Sequence, residues 1–161
     1  ALSEQLKTHT VSRVYDAIVL GNLKQDEGTV NAPIGRHPTD RKKMAVLKLT
    51  AAGAKEAITH YTVLTRFGSM THVRCVLETG RTHQIRVHMA SIGHPLLGDA
   101  VYGGGGTRFE SEHRAWIHGQ CLHAGQLQLL HPKTGESMTF KSPMPADMER
   151  LLQYLRQQSD Q

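Results

Sequence analysis

The residue that packing alone explains least in this sequence is Arg86. With Thr82 as the N-cap after a turn at Gly80, and 100° per residue, Ile85, Met89 and Ile92 fall on one apolar stripe. Arg86 then projects at the flank of that stripe, beside Thr82 and Ala90. A half-buried guanidinium there calls for a carboxylate or phosphate to fork onto, unless its stem covers core while its head snorkels to water. A second group is the run PIGRHPTDRKKMAV, where Arg36, Arg41, Lys42 and Lys43 stand against the single Asp40. Such a run is a solvated loop or a contact for several phosphates. Tyr15, in a run of β-branched and aromatic residues, is an amphipathic aromatic on a sheet. Eleven histidines raise the question of a metal. His83 and His88 lie five apart, about 140° around a helix, unlike an i, i+4 ligand pair, and His118 and His123 are separated in a loop-to-strand region. No metal site is expected.

The elements that must position these groups read as follows. Residues 2–7 suit the last turns of a helix, and 10–21 a strand closed by Gly21. Pro33, Gly35 and Pro38 make the basic run a loop, ending in a strand over 44–49. Residues 57–67 and 70–77 favour strand, with Gly68-Ser69 as a hairpin turn. The helix over 82–92 is stopped by Gly93 and His94-Pro95. The run GGGG at 103–106 lacks the Lys-Ser/Thr of a phosphate loop and is expected to open a flexible excursion through Glu112. Residues 122–130 and 137–141 read as strands. A last helix carries Met148, Leu151, Leu152 and Leu155 at i, i+3, i+4 and i+7, with Pro145 in its first turn. Many strands and few helices, without βαβ alternation, point to an α+β domain with a mixed, largely antiparallel sheet.

Length and composition bound what this chain can be. Its 161 residues suffice for one domain with a core. An apolar content of 39% and a mean hydropathy of −0.39 describe a globular chain, and no run has the length to span a bilayer. Lys plus Arg exceed Asp plus Glu by 19 to 14, and the pI near 9.4 favours a polyanionic partner. Cys75 and Cys121 are not in a C-x-x-C pair, so a reduced, cytoplasmic setting is expected. No secretion signal is visible, and the chain starts at Ala1 rather than Met, as a piece of a longer polypeptide would.

The stretch from Gly80 onward, G-R-T-H-Q-I-R-V-H followed by G-H-P-L-L-G-D-x-x-Y-G, resembles the signature of the RluA family of RNA pseudouridine synthases. Arg13, Tyr15, Ala17, Val19 and Gly21 form an R-x-Y-x-A-x-V-x-G arrangement similar to the family's tyrosine-bearing segment. The stretch GTVNAPIGRHPTDRKKMAV looks most like the RluD-type branch, which acts on large-subunit ribosomal RNA. The resemblance implies a pseudouridine synthase-like α+β fold and isomerisation of specific uridines in RNA without a cofactor. It implies that Tyr15 stacks on the target base, that Arg86 pairs with an aspartate nucleophile, and that Ile85 is the apolar residue packed beside the site. It also implies RNA contacts from Arg36, Arg41, Lys42, Lys43, Arg81, His83 and Gln84. The expected partner is 23S-type ribosomal RNA, with no membrane, and the expected state is a monomer.

One part is missing. The family's nucleophile lies in an H-R-L-D-x-x-T-S-G stretch before the tyrosine strand, and nothing between Ala1 and Tyr15 is similar to it. The six aspartates are Asp16, Asp26, Asp40, Asp99, Asp147 and Asp160, and none has that context. Asp99 matches a position expected to close a turn with Tyr102. The chain therefore reads as the C-terminal portion of a catalytic domain, inactive alone. Arg86, lacking its aspartate, is expected to attract an anion such as sulfate or phosphate. The alternatives are a non-catalytic RNA-binding module that keeps the cleft and, more distantly, a metal-dependent hydrolase.

Overall fold

The computed structural model describes residues 12–130 and 133–159. The segment 2–7, expected to be helical, lies outside them. Eight strands occur among the described residues: β1 (Ser12–Leu20), β2 (Glu27–Asn31), β3 (Ile34–Arg36), β4 (Met44–Val46), β5 (Ile58–Arg66), β6 (Met70–Leu77), β7 (Leu122–Leu130) and β8 (Ser137–Lys141). Three helices lie among the described residues: α1 (Gln84–Ser91), α2 (Arg108–Glu112) and α3 (Ala146–Ser159). Six strands form one sheet in the order β2-β5-β6-β1-β7-β8, and each neighbouring pair is antiparallel. β3 and β4 pair separately as a small hairpin. The fold is α+β, as the element pattern indicates.

β1 is the central strand, and side-chain alternation along it assigns two functions to two faces. Tyr15, Ala17 and Val19 point toward Val73, Cys75 and Leu77 of β6 and toward Ile85 and Met89 of α1. Ile18 points the other way, into an apolar cluster with Leu97, Ile117, Cys121 and the α3 residues Met148, Leu151, Leu152 and Leu155. All four of those α3 residues are buried, as their spacing demands. Asp16, next to Tyr15 in sequence, also faces that second side, where its carboxylate pairs with His72 at 2.9 Å. A third small cluster of Ile34, Ala57 and Val87, with Met44 and Tyr102, docks the β3–β4 hairpin onto α1. Both cysteines are buried free thiols whose pKa burial pushes up to about 12. No helix among the described residues is long and apolar enough to cross a membrane.

Four sequence expectations are corrected. The helix starts at Gln84, and its N-cap is His83 in a left-handed conformation (φ 55°), with no side-chain cap from Thr82. Ile92, placed on the apolar stripe, is 38% exposed because the helix has ended by then. Arg36 of the basic run ends β3, residues 37–43 form the expected loop, and the strand after it, β4, ends at Val46 rather than Leu49. The glycine run is not a flexible excursion. Gly98 N–H donates to the Gly104 carbonyl and Gly104 N–H to that of Asp99, and a Cβ at Gly104 would lie 1.7 Å from the Leu96 oxygen. Close backbone packing accounts for that glycine, and the run leads into α2, capped by Thr107.

Candidate active site

The antiparallel pairing of β1 with β6, and the turn from β6 into α1, bring Tyr15, Ile85 and Arg86 to one cleft of about 300 Å³. Arg13, Arg81, His83, Gln120 and Leu122 line it as well. Tyr15 is half-buried on the sheet, Ile85 forms buried wall, and Arg86 lies at the base of the opening with 11% of its side chain exposed. The three residues that the family resemblance singled out are 71 positions apart at their extremes, yet they share one concavity. An aromatic face, an apolar wall and a fixed cation suit a flipped pyrimidine with a charge to be held beside it.

Arg86 already has a carboxylate. Its Nε donates to Asp99 Oδ2 at 2.8 Å and its Nη2 to Oδ1 at 3.0 Å, a two-point fork on a carboxylate with no solvent exposure. This corrects the expectation of an unpaired cation awaiting an anion. Asp99 Oδ1 also accepts from the amides of Val101 and Tyr102, so the turn that the aspartate was expected to close is formed too. Burial acts to raise the pKa of Asp99, but the Arg86 hydrogen bonds and the two amides outweigh it and hold the carboxyl below its ordinary range. The same hydrogen bonds raise the pKa of Arg86. The fork occupies Nε and Nη2, which leaves the Nη1 edge for another acceptor.

Tyr102 completes the support. Its ring centroid lies 5.0 Å from the Arg86 guanidinium carbon, and its hydroxyl oxygen accepts from the Met44 amide at 3.0 Å. That hydroxyl is 2.8 Å from His83 Nδ1. Burial and the nearby Arg86 depress the pKa of His83, which favours the neutral ring, and its Nδ1 shares a hydrogen bond with the tyrosine hydroxyl. His83 itself has a left-handed backbone (φ 55°), the one non-glycine residue with positive φ among the described residues, and it lines the cleft.

The residues expected to meet RNA divide into three kinds. Arg36, Arg41 and Lys42 are exposed on the β3–β4 hairpin, with Lys43 partly so, and Arg36 Nη1 donates to the Arg41 carbonyl. His83 and Arg81 reach the surface at the cleft. Gln84, in contrast, is buried, and its amide is filled by the chain itself. Its oxygen accepts from Thr79 Oγ1 and the Arg81 amide, while its nitrogen donates to the Ile58 carbonyl and Thr59 Oγ1. Gln84 therefore shapes the cleft by tying α1 to β5. His88, read as a polar or RNA-facing histidine, is also buried, between Thr59 Oγ1 and the Ala32 carbonyl.

Among the described residues, no aspartate lines the cleft. Asp16 and Asp99 are consumed by His72 and Arg86, and Asp147 sits on α3 with His118 and Arg150. Asp99 and Tyr102 are the site residues that sequence reasoning placed in a turn rather than at the arginine. Their signal was present in the requirement that a half-buried Arg86 find a carboxylate. Arg13 is the other residue missed: a Cβ at Gly80 would stand 2.6 Å from its Nη1, so that glycine gives its guanidinium room at the cleft.

A protein-family model described as RNA pseudouridylate synthase matches residues 1–91. Ribosomal large subunit pseudouridine synthase D of Nitrosomonas europaea is 50% identical over 156 residues, covering 96% of this chain and 44% of its own length. The protein of the same name from Escherichia coli K12 is 44% identical over 161 residues, covering 96% of this chain and 48% of its own. The chain thus spans about half the length of these curated relatives. Among solved structures, human RNA Pseudouridylate Synthase Domain Containing 4 superposes with a TM-score of 0.75 at 25% identity, over 96% of this chain and 66% of that one. Human RNA Pseudouridylate Synthase Domain Containing 1 does so with 0.69 at 27%, over 96% and 69%.

Proposed function

We propose, for a chain that belongs to the RNA pseudouridine synthase family and to its RluD-type branch, that it forms the larger part of a uridine-isomerising active site for large-subunit ribosomal RNA. The observation that carries this reading is the convergence of Tyr15, Ile85 and Arg86 on one cleft. In it the target uridine leaves its stack and lies on the Tyr15 ring against Ile85. An aspartate outside these residues attacks the uridine, the N1–C1′ bond breaks, and the base turns so that C5 bonds to C1′ as the aspartate is released. C5 loses its proton and N1 gains one, so the product is an isomer. Arg86 keeps that aspartate ionised and oriented through the edge that Asp99 leaves open, since an adjacent cation lowers a carboxylate pKa. The ribosomal substrate is supported by the names of the relatives and by the basic hairpin. The whole polypeptide is the enzyme in this reading.

A second reading, an RNA-binding module without turnover, draws on the Arg86–Asp99 fork, which satisfies the arginine without any nucleophile. One experiment separates them. This chain, and the same chain extended upstream through an R-L-D segment, are incubated with uridine-containing ribosomal RNA and assayed for pseudouridine. Turnover by the extended protein alone supports the enzyme. Turnover by neither favours the binding module, and turnover by the short chain would place the nucleophile within these 161 residues.

A further inference from the structure

We propose that a second groove, beside the uridine cleft, is a phosphate subsite formed by Arg36, Lys55 and Arg81, and that it holds a phosphodiester of the strand whose uridine enters the cleft. The proposal rests on the RNA reading above and adds to it a place and a residue. The groove has a volume of about 320 Å³ and runs between the β3–β4 hairpin, the segment at 53–55 and the turn at 80–82. Gly80 and Arg81 line both it and the cleft, so the two are contiguous along one wall.

The groove contains three cations and no carboxylate. Among the described residues none of the three takes part in an ion pair. They come from three separate segments, so the fold assembles them, in contrast to the consecutive Arg41, Lys42 and Lys43 of the hairpin tip. Two are held in place without being neutralised. Arg81 donates from Nε to the Glu56 carbonyl at 2.7 Å, and Arg36 from Nη1 to the Arg41 carbonyl at 2.9 Å. A carbonyl fixes a guanidinium but leaves its full charge and its remaining N–H groups for an anion, where a carboxylate would have cancelled the charge. Lys55, exposed, adds a flexible point charge. The wall around Gly35 is closely packed: a Cβ there would lie 2.7 Å from Leu47 Cδ1 and 3.0 Å from the Gly53 oxygen.

An inorganic phosphate offers the same chemistry as a phosphodiester. The strand is favoured because the groove opens onto a cleft sized for one nucleoside, so a bound uridine must carry its backbone past Arg81. Phosphate contacts of this kind fix register without reading sequence.

The test uses the whole polypeptide that carries this chain, a uridine-containing ribosomal RNA fragment, and the substitution Lys55→Gln, which removes no hydrogen bond of the fold. Lys55→Gln is expected to weaken RNA binding about three- to tenfold and to lower the log-log salt slope by about one. Pseudouridine formation should show a raised KM with kcat within about twofold of wild type, the pattern of a lost uniform contact. Arg114→Gln, an exposed cation on the α3 side, should change neither. An RNA with one methylphosphonate linkage flanking the target uridine should bind wild type as weakly as normal RNA binds the Arg36→Gln/Lys55→Gln double variant, and should cost that variant nothing further. An unchanged slope and KM in Lys55→Gln would overturn the subsite, as would inorganic phosphate that binds the groove without competing with RNA. A wild type that binds RNA but makes no pseudouridine would instead count against the enzyme reading, and the binding data would still decide the subsite.

Discussion

α1 and α3 cover opposite faces of the same sheet, and they do it with opposite chemistry. α3 turns Met148, Leu151, Leu152 and Leu155 inward and keeps its charges outside. α1 buries Gln84, Arg86 and His88 among Ile85, Val87 and Met89, and each of the three polar groups is hydrogen-bonded inside the chain. Apolar contact is non-directional and tolerates small shifts, whereas a buried fork or amide holds only in one geometry and is costly when half-made. The α3 face therefore carries stability, and the α1 face fixes the position of one cation beside a cleft.

The largest expected effect lies on the α1 side. In the active polypeptide, Arg86→Lys keeps a charge but cannot fork, and pseudouridine formation should fall by about 10²- to 10³-fold, the size seen when one preorganised electrostatic group is lost. Arg86→Ala would in addition leave Asp99 buried and unpaired, a loss of about 3–5 kcal/mol measurable by chemical denaturation. Equal activity in Arg86→Lys and wild type would remove the arginine from the chemistry. Leu151→Ala sharpens the contrast from the other face: it should cost about 2–5 kcal/mol in stability while the folded fraction keeps its turnover per site. Next, Tyr15→Ala should lose turnover far more than RNA affinity, because the base loses its platform while the phosphate contacts remain. Parallel losses in both would argue for a structural tyrosine.

The pH dependence should divide along the same line. His88 is depressed below its ordinary 6.5, first by burial, against which the Ala32 carbonyl works only in part. The folded state thus binds fewer protons than the unfolded one, and stability should be full above about pH 6.5 and fall as the pH drops below it. For Asp99, whose pKa is lowered, the stabilisation is present above its ordinary 3.8 and lost as the pH falls through the folded value. Urea titrations of His88→Gln should therefore flatten the mildly acidic limb, and no change in that limb would refute the assignment. The smallest effect is at the hairpin tip. Replacing Arg41, Lys42 and Lys43 by Ala should flatten the salt dependence of RNA binding by up to about three units of log-log slope, with little change in stability.

What the sequence made legible follows the same division. The α3 stripe and the strands β6, β7 and β8 could be read directly, because their signals are local periodicities that burial then satisfied. Tyr15, Ile85 and Arg86 were found through the resemblance, since nothing local relates strand β1 to a helix 71 residues away. The Arg86–Asp99 fork was missed although its need was recognised. The carboxylate is 13 positions downstream, across the end of α1 and a turn, and such a contact is set by tertiary packing rather than by period. Gln84 misled in the same way: a polar residue in a motif reads as a ligand contact, and only the geometry of Thr79, Ile58 and Thr59 shows its amide filled.

The glycines at 103–106 have a practical bearing on anyone who alters this protein. By composition they are where one would splice an affinity tag, a fluorophore peptide or a guest domain. Gly104 has the Leu96 carbonyl where a side chain would go, and a Cβ at Gly105 would lie 2.8 Å from the Ala100 Cα, so the stretch is a fitted joint rather than slack. It closes the turn that holds Asp99 against Arg86, with the Gly104 amide bonded to the Asp99 carbonyl. An insertion there would loosen the Arg86–Asp99 fork without touching the arginine. The safer place for a graft is the β7–β8 connection, where Gly135 has nothing within 4 Å of its would-be side chain and the neighbouring positions are exposed.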